Sequence, residues 1–89
     1  MREYQITAIR PDAQDVDRRI DGLQIEGTIW PIDKVIDWIR TGTHAFWVKS
    51  GAGKVRVIVA RHWLSGRYFL TTEGEGFPPT VLLALRHVY

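Results

Sequence analysis

The chain has 89 residues and a mass of 10.3 kDa, room for one small domain, since domains usually run about 100–150 residues and seldom below about 50. With 45% hydrophobic and 25% charged residues it has the make-up of a folded globular chain rather than a disordered one. It has no cysteine, which excludes a disulfide framework, a thiolate metal site and a cysteine nucleophile.

Lys and Arg number 12 against 10 Asp and Glu, a net charge of only +2, so the sequence pI near 9.3 is a poor sign of a polyanion binder. The charge is unevenly spread. Residues 1–43 carry eight acids and six bases, whereas from His44 to Thr72 there is no acid at all. The segment Met1-Arg2-Glu3-Tyr4-Gln5 lacks the apolar core of a secretory leader. The longest apolar run, Val81 to Leu85, is far short of the ~20 residues that span a bilayer. A soluble, cytoplasmic protein without membrane contact is expected.

In chain order, Tyr4 to Arg10 mixes β-branched and polar residues and stops at Pro11, predicting a first strand. The polar stretch Asp12 to Asp17 predicts a loop. From Arg19 to Gly27 a second strand is expected, with Leu23 and Ile25 alternating against Gln24 and Glu26. Ile20 is out of phase with that pair, and a β-bulge at Asp21-Gly22 would return it to the apolar face. Pro31 suits a first helical position, and Ile32, Val35, Ile36 and Ile39 follow at i, i+3, i+4 and i+7. Asp33 near the start and Arg40 near the end match the helix dipole, and Gly42 suits a left-handed cap. A helix over Pro31–Thr41 follows, with Thr28 the available cap if its first turn begins early.

Beyond it a β-meander is predicted: Ala45–Lys49, a turn at Ser50-Gly51-Ala52-Gly53, a long strand Lys54–Trp63, a turn at Leu64-Ser65-Gly66, and Arg67–Thr72. Val55, Val57 and Val59 share one face of the long strand; Arg56, Ile58, Ala60 and His62 share the other. The linker Glu73–Pro79 holds two prolines that bar regular pairing. Thr80–Leu85 is too short to assign as strand or helix, but Val81, Leu82, Leu83 and Leu85 call for burial as an apolar lid. The expected architecture is α+β, one helix on a mostly antiparallel sheet of about five strands in the order β-β-α-β-β-β. The opposite face of that sheet should be wet or covered by a partner.

Taken together, the segments resemble a family of short bacterial proteins known only as a domain of unknown function. The matching pieces are Ile6-Thr7-Ala8-Ile9-Arg10, Ile20 to Leu23, Lys34 to Ile39, Gly42 to Val48, Val55 to Val59, Tyr68 to Thr72 and Val81 to Leu85. Most are core and turn positions, so the resemblance implies a fold and brings no catalytic residue. The chain departs from the family's layout at Glu75-Gly76-Phe77-Pro78-Pro79 and at the tail Arg86-His87-Val88-Tyr89.

Chemistry-bearing groupings are sparse. His44, His62 and His87 lie in separate segments without paired metal-ligand spacing, and Asp15-Val16-Asp17 lacks the glycine and distal glutamate of a calcium loop. Ser50 and Ser65 sit in predicted turns, where serine serves the backbone. Gly51-Ala52-Gly53-Lys54 leads into a strand rather than the helix that a phosphate loop requires. Neither an enzyme nor a cofactor is expected. Four tryptophans in so short a chain point to a protein-binding or self-assembling module, either a homodimer or a complex with another protein, with Trp30, Trp38 and Trp63 as interface candidates. The alternative is single-stranded nucleic-acid binding on a basic and aromatic sheet face made by Lys54, Arg56, Arg61, His62, Arg67 and Phe69.

Overall fold

The computed structural model describes residues 2–51 and 53–88. Ala52, in the predicted Ser50–Gly53 turn, and the terminal Met1 and Tyr89 lie outside them. The elements run β1 Arg2–Pro11, β2 Ile20–Ile25, β3 Thr28–Pro31, α1 Ile32–Thr41, β4 His44–Ser50, β5 Gly53–Arg61, β6 Tyr68–Thr72, α2 Thr80–Leu83 and β7 Arg86–His87. They form a mixed sheet in the order β3-β2-β1-β4-β5-β6, with the short β7 beside β1. No described helix is long and apolar enough to cross a membrane.

The sheet is mostly antiparallel, as expected, but it departs from the expected five-stranded layout in three ways. Thr28–Pro31, expected as the approach to the helix, is a strand paired with β2 from Ile25↔Thr28 to Gly22↔Pro31. Thr28 is therefore in a ladder and is no cap; Pro31 is the N-cap residue and makes no side-chain capping bond. The C-terminal run divides into a single helical turn and a two-residue strand. Finally, β1 is parallel to both β4 and β7. A parallel pair needs a long crossover, and the whole β2–β3–α1 segment supplies it.

The helix begins at Ile32, one residue after the expected Pro31, and from there its geometry follows the expected pattern. Ile32, Val35 and Ile36 are buried, each transfer stabilising by about 1.5–3 kcal/mol. Gly42 adopts φ 75° and ends the helix, and the Thr43 N–H reaches the Trp38 carbonyl at 2.9 Å. The bulge also lies where the pattern placed it. Arg10 pairs with Gly22 and Pro11 with Ile20, leaving Asp21 extra, and Ile20 is 1% exposed. Gly22 is required there by close packing: a Cβ would lie 2.9 Å from Ile29 Cγ2.

Ile6, Ile9, Leu23, Val35, Phe46, Val48, Val57, Leu70 and Leu82 form the centre of the core, between α1 and the sheet. Of the lid residues only Leu82 is fully buried; Val81, Leu83 and Leu85 are half-buried against the core edge. One helical turn can point only one side chain straight inward. The sheet's other face is not simply wet. Over β5 and β6 the segment 73–79 folds back, Thr71 Oγ1 donating to the Gly76 carbonyl at 2.9 Å, and Phe77 covers Phe69 with ring centroids 5.5 Å apart.

Candidate functional site

The six residues proposed for a nucleic-acid face do not form one open surface. His62 is 7% and Phe69 3% exposed, because Phe77 packs edge-on against both rings. Their place on the outer face of β5 and β6 was legible from alternation; the covering segment was not. The four cations are spread over the surface, and each has an internal partner. Lys54 Nζ lies 3.5 Å from Glu3, and Arg56 Nε 4.0 Å from Glu73. Arg61 donates to the Gly66 carbonyl and stacks 5.5 Å from the Tyr68 ring. Arg67 reaches Asp15 at 3.1 Å and Asp17 at 3.2 Å. Within the acid-free stretch after His44, Lys54 and Arg67 are thus answered by acids of the first half, Arg56 by Glu73, and Arg61 by a neutral carbonyl and a ring.

The three candidate tryptophans separate into two places. Trp63 is 80% exposed at the β5–β6 hairpin tip, followed by Leu64 at 72%. The tip is held firmly. His62 N–H and the Arg67 carbonyl pair at 2.8 Å, Gly66 N–H donates to the His62 carbonyl, and Leu64 N–H donates to His62 Nδ1 at 3.2 Å. Arg67 clamps the tip to the β1–β2 loop, whose Val16, between the two paired aspartates, is 69% exposed. Asp12 and Asp15 organise that loop by accepting backbone N–H groups from Gln14, Asp15, Asp17 and Arg18. Ser65 Oγ accepts the Arg67 N–H, a turn role.

Trp30 and Trp38 meet each other instead, ring centroids 5.2 Å apart and edge-on. Trp38 lies at the border of the α1 stripe and turns inward, 5.2 Å from the His44 ring and stacked at 6.0 Å on Phe46. Tyr4 completes the group, 5.1 Å from His44 and 6.0 Å from Phe46. These rings surround a cavity of about 250 Å³ with Glu26 and Thr28 at its edge. Its existence follows from the pairing register. β1 pairs with β2 only from Ile6↔Ile25 onward, while Tyr4 stays paired with Phe46 of β4. Past Ile25 the chain turns away through Glu26 and Gly27, so the core opens there into an aromatic mouth. Sequence inspection picked out the two tryptophans but missed Tyr4, His44 and Phe46. The available signal was alternation, Tyr4 with Ile6 and His44 with Phe46 and Val48, but only the β1–β4 register joins the two rows.

Two carboxylates are held below their ordinary range. For Glu75, burial works against ionisation, but donors from Thr80, Thr72 and the Val81 backbone outweigh it. For Asp15, burial is likewise outweighed, here by Arg67 and the N–H groups of Arg18 and Asp17. A depressed folded value means that the unfolded chain binds more protons in acid, so this stabilisation is complete above the unfolded value near pH 4 and is lost as pH falls through the folded one. The urea midpoint should therefore drop between about pH 5 and pH 3. Asp15→Asn, which keeps the turn acceptors, should flatten that drop; an unchanged slope would remove Asp15 from the account.

Comparison of the chain with protein-family models, with curated proteins and with solved structures finds no match. The fold and these two surfaces define a small α+β domain with one main helix against a mixed sheet.

Proposed function

We propose that this domain is a non-enzymatic self-assembly module whose Trp63–Leu64 tip, with Val16 beside it, docks against a second copy of the chain. The observation that supports this most is a tryptophan 80% exposed on a hairpin fixed by hydrogen bonds and by the Arg67 clamp. Tryptophan is the commonest anchor of protein interfaces, and a tip ordered before binding loses little entropy when it docks. At the tip Arg67 is neutralised by Asp15 and Asp17, and Arg61 is turned onto the Gly66 carbonyl and the Tyr68 ring, so a like copy meets little repulsion. The same pairing argues against a polyanion as the partner. Membership in the uncharacterised bacterial family that the sequence resembles belongs to the same proposal, as does a cytoplasmic location.

Sedimentation should give a mass near twice 10.3 kDa, insensitive to salt. Trp63→Ser should weaken association by at least about 2 kcal/mol, roughly 30-fold, without altering the fold. A monomer at high concentration would sink the proposal. Retention on single-stranded DNA that collapses with modest salt would replace it with nucleic-acid binding.

A further inference from the structure

We propose that the aromatic mouth between β1, β3, α1 and β4 binds a small methylated ammonium group, of the choline or methylated-lysine kind. The site is separate from the Trp63 tip and does not depend on assembly. Its walls are the rings of Tyr4, Trp30, Trp38, His44 and Phe46, and Glu26 is the acid at its edge. Aromatic faces carry negative potential and attract cations, most strongly when water is partly excluded. This property is already expressed here by the chain's own cations: Lys34 Nζ lies 5.2 Å from the Trp38 ring centre and the Arg2 guanidinium 5.3 Å from that of Tyr4.

The size and the polar groups narrow the ligand. A cavity of about 250 Å³ takes a head group rather than a drug-sized molecule. A bare ammonium would lose more hydration than these rings and one rim carboxylate replace, whereas methyl groups reduce that loss and pack against rings. His44 Nδ1 is buried with no hydrogen-bond partner among the described residues. A buried polar atom of this sort is costly unless satisfied. With no accessible surface, Nδ1 is out of a ligand's reach, and His44 serves the mouth with its ring alone. An anion fits poorly against ring faces and Glu26.

The test is an NMR titration of the indole N–H signals with choline chloride, N,N-dimethylethanolamine hydrochloride and the neutral isostere 3,3-dimethylbutan-1-ol, at constant ionic strength. Saturable shifts of Trp30 and Trp38 are expected, with Trp47 and Trp63 as unmoved controls. The neutral isostere should bind about tenfold more weakly than choline. Glu26→Gln and Trp30→Ala, both at exposed positions, should weaken choline, and Lys34→Ala should tighten it by freeing a ring face. Absence of a saturable shift, or equal binding of the uncharged isostere, overturns the proposal. A Trp63→Ser chain that still binds choline separates this site from the assembly surface.

Discussion

Phe46→Ala should lower the stability of the domain by about 3–5 kcal/mol, the usual cost of deleting a fully buried aromatic ring. Phe46 is 1% exposed and stands where the core meets the aromatic mouth, stacked between Tyr4 and Trp38 at 6.0 Å from each. Its removal loses the ring's burial and leaves a void that neither neighbour can fill, because Tyr4 is held in the β1–β4 ladder and Trp38 on α1. Small domains have only about 5–15 kcal/mol in total, so the variant should lose a large share of its stability margin. A chemical-denaturation midpoint that falls sharply at unchanged slope checks this. A loss below about 1 kcal/mol would mean that the mouth collapses freely and that its cavity is not a preformed site.

Leu82→Ala should cost about 2–5 kcal/mol, and Leu83→Ala distinctly less. The contrast follows from the docking of α2. Leu82 is 0% exposed, while Leu83 is half-buried. A helix of four residues has no stability of its own, and this one is held from both sides. Glu75 accepts the Thr80 N–H at 3.0 Å and bonds the Thr80 hydroxyl, and β7 pairs with Ala8 and Ile9 of β1 just beyond it. Equal costs for the two leucines would show that the C-terminal turn is not seated as described.

Two of the places where sequence expectation and structure part company share a cause. Thr28-Ile29-Trp30-Pro31 offers no alternation long enough to announce a strand, and it becomes one because β2 presents an edge beside it. His62 and Phe69 alternate onto the outer face as expected, yet are buried because residues 73–79, which carry no periodic signal, return over them. In both cases the deciding partner lies only a few residues away along the chain, but its pairing leaves no periodic signal of its own. The candidate tryptophans show the same division: their number was evident, but not that two of them meet and the third stands apart at the hairpin tip, against the His62 ring.

Local physics written into the chain determined the α1 stripe, its Gly42 stop, the Asp21 bulge and the turn chemistry of the aspartate loop, since each depends on spacing within a few residues. The aromatic mouth, the pairing of Lys54 and Arg67 with acids of the first half and the cover over Phe69 were decided only by the tertiary structure. They arise where strand register and chain return bring separate segments together, and no local pattern of side chains specifies which edges will meet.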